Sequence, residues 1–135
     1  MKTKRILCGV DFSESSVSAF ETAVELARAL RAEVHVLHVI EADPATPNLA
    51  LEGKAINAMD LLVASASDLG DSQLTTEVTT GRAFTEILNR ARERTFDLIV
   101  LGAKGIRLPE EAVFGGTSER VVKEAPCSVL IVRTS

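Results

Sequence analysis

"DLIVLGAKGIRLPEEAVFGGTSERVVKEAPCSVLIVR", Asp97 to Arg133, joins two apolar runs through a glycine-bearing loop and a short helical stretch. "DLIVLG" and "CSVLIVR" have the length and β-former content of strands, and "TSERVVKEA" between them reads as a helix. A strand–helix–strand unit of this kind makes its two strands parallel, connected by a right-handed crossover. The strands are almost continuously apolar, as expected where a parallel sheet is covered on both faces. The last of them, with no proline and no inward charge, is expected at an unprotected sheet edge.

The same alternation runs through the rest of the chain. "RILCGV" (Arg5 to Val10) reads as a first buried strand, stopped by Asp11. In "DFSESSVSAFETAVELARALRA", Val17, Phe20, Val24 and Ala27 recur at helical steps. Ser13 is the expected N-cap of that helix, with Glu14 in its positive first turn, and the helix should end near Arg31. "EVHVLHVI" (Glu33 to Ile40) is a second strand. "EADPATPNLALEG" reads as a proline-bearing loop, extending from Ala42 to Gly53. From about Glu52 to Leu69, Ile56, Met59, Val63 and Ala66 mark a second amphipathic helix. "QLTTEVTT" (Gln73 to Thr80) is a more polar third strand, expected near an edge, and Gly81 breaks it. "RAFTEILNRARER" is a third helix with Phe84, Ile87, Leu88 and Ala91 inward. The expected architecture is an α/β fold: an open five-stranded parallel sheet with helices on both faces, in one domain spanning residues 1–135.

Composition restricts the function classes. At 135 residues and 46% apolar, the chain can build a sizeable core, made of aliphatics and a few Phe because Trp and Tyr are absent. A net charge of −4 argues against a general nucleic-acid binder. No apolar run approaches the length of a membrane span. Cys8 and Cys127 sit in or beside apolar runs, with no CxxC and no metal-ligand spacing, and read as free thiols of a cytoplasmic protein. His35 and His38 lie three apart in a strand, so they point to opposite faces and cannot share a metal.

Half of the eight glycines fall between Gly102 and Gly116. In open parallel sheets, ligands bind beyond the carboxyl ends of strands, where the strand order reverses. With the order 3-2-1-4-5, that crevice lies between Val10–Asp11 and Leu101–Gly102. The glycines are spaced Gly102-x-x-Gly105, nine residues, then Gly115-Gly116. Glycine permits positive φ and close approach of backbone N–H groups to an anion, and a following helix N-terminus favours phosphate. Lys104 and Arg107 add positive charge, and Thr117 and Ser118 can cap the helix or bond a phosphate oxygen. A long surface loop with glycines only for turns is the competing interpretation. Asp11 is equally open: a partner for base or ribose, or a carboxylate helping to cap the following helix. No Ser/His/Asp, Cys/His or paired-carboxylate constellation marks a catalytic site.

Nearly the whole chain resembles the universal stress protein family. "RILCGVDFSESSVSAFETAVELA" is similar to its first strand and helix, and "VHVLHVI" to its second strand. "GRAFTEILNRARERTFDLIVLGAKG" and "FGGTSERVVKEAPCSVLIVR" are similar to the segments around its fourth strand and closing helix. The resemblance implies a five-stranded parallel sheet and a regulatory stress-response module with little or no catalysis, at most slow ATP hydrolysis. It implies ATP, with AMP as the alternative adenylate and Mg²⁺ alongside, bound through G-x-x-G, nine residues, G-[S/T]. The positions that match are Gly102, Gly105 and Gly115, with Gly9, Val10 and Asp11 after the first strand and Val39 near the end of the second as adenine and ribose contacts. One position departs: the Ser/Thr after the third motif glycine is Gly116 here, with Thr117 one residue later. Glu110 and Glu111 also place negative charge in the loop. The family commonly forms a homodimer through the last strand, and a two-fold dimer is the simplest closed assembly.

Two alternatives compete. One is a dimeric interaction protein of the same family that binds no nucleotide. The other is an enzyme or signalling domain of similar shape. A phospho-acceptor receiver needs Asp at the end of the third strand, where Thr79 and Thr80 stand. A flavodoxin needs a phosphate loop after the first strand, and "DFSESS" has no glycine. A related nucleotidyl transferase needs a HxGH-like signature, which is missing.

Overall fold

A computed structural model describes residues 3–103 and 116–134 of the chain. Five strands, β1 (Arg5–Gly9), β2 (Glu33–Ile40), β3 (Leu74–Thr80), β4 (Leu98–Gly102) and β5 (Ser128–Val132), form one sheet in the order β3-β2-β1-β4-β5. Every pairing is parallel. Helices α1 (Glu14–Leu30), α2 (Leu49–Val63), α3 (Ala83–Glu93) and α4 (Gly116–Glu124) make the crossovers.

Strand periodicity divides the core in two. Alternate residues Ile6, Cys8, Val34, Val36, Leu98 and Val100 face α1 and α2, packing against Phe20, Ala23, Val24, Ala27 and Met59. The intervening residues Leu7, Leu37, Val39, Ile99 and Leu101 face α3 and α4, packing against Ile87, Leu88, Ala91 and Val121. A strand whose two faces are both buried must be apolar at every position, which accounts for "ILCG" after Arg5 and for "LIVLG". β3 is the polar edge strand, and β5 is the opposite edge.

The helix ends follow local chemistry. The Ser13 side chain accepts a hydrogen bond from Ser16 N–H at the start of α1. Arg31 adopts the left-handed conformation at its end, φ 54°, and the Ala32 N–H returns to the Ala27 carbonyl. The second helix differs from the sequence expectation. Asn48, not a residue near Glu52, caps it by accepting from Leu51 N–H, so Leu49 to Gly53 are helical rather than loop. Its inward face is Ala55 and Met59, while Ile56 is half exposed. The helix carries apolar residues all round, with Leu49 and Leu61 also exposed; of the expected stripe, Met59 and Ala66 are buried, Val63 packs against the core, and Ile56 alone faces outward. Phe84 in α3 is only partly buried, packed against the α3-side core.

Candidate functional site

β1 and β4 pair from Ile6↔Leu98 to Cys8↔Val100 and then part. Beyond that point β1 stays with β2, through Gly9↔Leu37 and the Val10 N–H bond to the Leu37 carbonyl. β4 stays with β5, through Gly102↔Val132 and the Ala103 N–H bond to the Val132 carbonyl. The two central strands therefore separate at their carboxyl ends, opening the crevice that parallel sheets use for ligands.

One wall of the crevice is the turn from β1 into α1. Val10 is buried, and Asp11 and Phe12 are half-buried. Phe12 has φ 65°, a left-handed conformation that is unusual for a bulky residue and costs roughly 1–3 kcal/mol. A mesh of short-range bonds offsets that strain. Asp11 Oδ1 accepts from Ser13 N–H at 2.9 Å, closing an Asx turn. Asp11 N–H donates to Ser16 Oγ at 3.2 Å, and Ser16 Oγ donates to the Ser13 carbonyl at 3.1 Å. The ring of His38 lies 4.5 Å from that of Phe12, and its Nδ1 is 2.7 Å from the Val10 carbonyl oxygen. Of the two alternatives for Asp11, the cap belongs to Ser13, and Asp11 fixes the turn ahead of it with one oxygen. Its other oxygen, Oδ2, has no hydrogen-bond partner among the described residues.

The opposite wall begins at Gly102. A Cβ built there would lie 2.6 Å from the Ser15 carbonyl carbon and 2.7 Å from its oxygen. The absent side chain at 102 is thus explained by the approach of α1. Gly9 is buried by the other face: a Cβ there would meet Leu101 Cδ2 at 2.7 Å and Ile87 Cδ1 at 3.1 Å. Gly116 is different, because a Cβ at this first residue of α4 meets nothing within 4 Å. Thr117 is half-buried in the first turn of α4. Ser118 is buried and donates to the Gly102 carbonyl at 2.8 Å, tying the start of α4 to the end of β4. Gly105 and Gly115, with Lys104, Arg107, Glu110 and Glu111, lie outside the described residues.

Val39 is buried in the α3-side core at the end of β2. His35 and His38 do point to opposite faces. His35 contacts Thr75 and Glu77, while His38 contacts Val10. Glu77 sits in a cluster with Arg90 Nη2 at 2.6 Å and His35 Nε2 at 2.9 Å, and these partners hold its carboxyl down at about 2. The cluster binds α3 to the β3 edge. Cys8 and Cys127 are free thiols, and complete burial pushes Cys8 up to about 12. Among the described residues, no group of three His, Cys, Asp or Glu could hold a metal ion. No described helix is long and apolar enough to cross a membrane.

Phe12, Ser16 and His38 are the parts of this site that the sequence reading missed. "DFSESS" after a strand carries a signal for the serines, because a Ser three residues after an N-cap Ser can bond back into the turn. Nothing in residue spacing signals a left-handed Phe.

Comparison with known proteins agrees with the fold. The family model described as the universal stress protein family matches residues 2–133. A universal stress protein of Bacillus subtilis is 31% identical, over 96% of this chain and 98% of its own. The universal stress protein UspA from Lactobacillus plantarum superposes with a TM-score of 0.75 at 31% identity, covering 98% of this chain and 99% of its own. A universal stress protein solved in complex with cAMP shares the fold with a TM-score of 0.80 at 21% identity, each chain covered completely. On the match along nearly its full length, the parallel five-stranded sheet and these relatives, the chain belongs to the universal stress protein family.

Proposed function

We propose that the chain is a nucleotide-binding regulatory domain, taking ATP, or AMP as the alternative adenylate, in the crevice between β1 and β4. The observation that carries this is the parting of those strands between two prepared walls: the fixed Val10–Asp11–Phe12 turn and the first turn of α4. Asp11 Oδ2 would accept from a ribose hydroxyl. The N–H groups opening α4 have no intrahelical acceptors and favour phosphate. Gly9, Val10, Asp11 and Val39 would serve the adenosine end, and Gly102, Gly105, Gly115, Gly116 and Thr117 the phosphates. Mg²⁺ would arrive on the triphosphate. The cAMP complex of a relative of the same fold supports an adenine nucleotide as the ligand class. A role in stress response follows from the family, with turnover slow or absent. The free thiols fit a cytoplasmic setting.

The same proposal includes a homodimer through β5. That strand is a sheet edge, and Leu130 on it and Val122 on α4 are exposed apolar side chains. A monomer mass by light scattering at micromolar concentration would overturn it.

A second interpretation, a dimeric interaction protein without nucleotide, is favoured by Gly116 at the Ser/Thr position and by Glu110 and Glu111. Thermal melts with and without millimolar ATP separate the two. A saturable rise in Tm supports the nucleotide domain, and no rise supports the interaction protein.

A further inference from the structure

His38 stands where β2 stops pairing with β1. The last register pair is Gly9↔Leu37, and the next residue, Val10, is held by β2 at both of its backbone groups. Its N–H goes to the Leu37 carbonyl at 2.9 Å, and its carbonyl is met by His38 Nδ1 at 2.7 Å. A carbonyl oxygen only accepts, so Nδ1 carries the proton and the neutral ring keeps its lone pair on Nε2. The same ring packs on Phe12, 4.5 Å between centroids and tilted by 40°. One imidazole thus fixes the residue before Asp11 through a hydrogen bond and the residue after it through a ring contact.

Asp11 lies between those two anchors. Its own bonds to Ser13 and Ser16 orient the chain forward into α1, and none of them fixes the turn to the sheet. Among the described hydrogen bonds, that link is made by the Val10 N–H and by His38, beside the packing of Phe12 on the α1-side core. Phe12 at φ 65° is held in a conformation that a bulky residue leaves readily, so the direction of the Asp11 carboxylate depends on what restrains both neighbours.

We propose that His38 is a positioning residue for the nucleoside end of the ligand: it sets the Val10–Asp11–Phe12 turn so that Asp11 faces the crevice, without itself contacting phosphate. This rests on the nucleotide-binding function proposed above. The specificity it predicts is chemical. Loss of His38 should weaken recognition of the nucleoside and leave recognition of the phosphate chain intact.

The test uses the full chain with two ligands, MgATP and magnesium tripolyphosphate, and two substitutions. His38→Phe keeps a ring against Phe12 and removes the donor to Val10. His38→Asn keeps a donor near the Nδ1 position and removes the ring. The expected result is ATP binding at least about tenfold weaker in His38→Phe, unchanged tripolyphosphate binding, and partial recovery of ATP binding in His38→Asn. Nitrogen-15 spectra of the unliganded protein should show the Nδ1–H form of His38. Equal ATP affinity in wild type and His38→Phe would overturn the positioning role while leaving the nucleotide site standing. Parallel losses for both ligands, or an Nε2–H tautomer, would also overturn it. Absence of ATP binding by the wild type would remove the nucleotide site itself and the proposal with it. Should His38→Phe fail to fold, the Asn variant and the tautomer decide: undiminished discrimination of ATP from tripolyphosphate in His38→Asn, with Nε2–H, contradicts the role.

Discussion

Gly102 and Ser15 approach so closely that a single carbon added at 102 would fall 2.6 Å from the Ser15 carbonyl carbon. The neighbour is helix backbone and cannot rotate away. Gly102→Ala should therefore push α1 off β4, with an overpacking cost of about 1–3 kcal/mol and a fall in Tm of several degrees. Thermal unfolding checks this, and an unchanged Tm would contradict the contact. Loss of ligand binding in this variant reports the displaced helix as much as any phosphate contact.

Gly116 is the opposite case, with open space where a side chain would stand. Gly116→Ser should leave the melting temperature within a few degrees and add a hydroxyl at the first turn of α4. A hydrogen bond to a charged group contributes about 1.5–3 kcal/mol, so ATP affinity should rise about tenfold or more. Calorimetry on the two proteins side by side measures it. Unchanged or weaker binding would mean that no phosphate oxygen reaches this turn.

Ser118 bonds the Gly102 carbonyl from a buried position, joining the two strand–helix ends that flank residues 103–115. Ser118→Ala leaves that carbonyl short of a donor at a cost of about 1–2 kcal/mol. Amide exchange at Gly102, Ala103 and the first turn of α4 should quicken, while β1 to β3 stay protected. Uniform exchange across the sheet would assign the bond no local role.

Arg90 and His35 beside Glu77 hold its carboxyl at about 2, against an ordinary value of 4.5. The folded state thus binds this proton more weakly than the unfolded chain does. The stabilisation is fully present above about pH 4.5 and is lost as pH falls toward 2. Glu77→Gln should lower stability at neutral pH by on the order of 1–2 kcal/mol after solvent screening. Denaturant titrations from pH 7 to 2 should show a flatter acid slope for the variant, and parallel curves would dismiss the ion cluster as a source of stability.

The sheet was legible because its strands are buried on both faces and its crossovers are helical, so apolar runs and helical steps suffice to order them. Ser13 was legible as a cap because its hydroxyl sits just before the periodic residues of α1. Asn48 was obscured by Pro44, Pro47 and Gly53, which read as one long loop, although Gly53 meets nothing and is tolerated in the helix. Ile56 was misplaced because small Ala55 takes the inward position while large apolar residues face outward. In the site, the crevice followed from strand order. The role of Gly102 did not, since the pressure on it comes from Ser15, 87 positions earlier in the chain. The clasp of His38 on Val10 spans 28 positions and rests on a side-chain proton, which spacing does not encode.

The central claim is that the crevice between β1 and β4 takes an adenine nucleotide whose phosphates lie against the glycine loop. Calorimetric titration of nucleotide-free protein with ATP and Mg²⁺, beside Gly105→Ala, tests it most directly. The account predicts saturable binding by the wild type that the substitution abolishes. No heat, together with no shift in Tm at millimolar ATP, would contradict it and leave the dimer and its partners to carry the function.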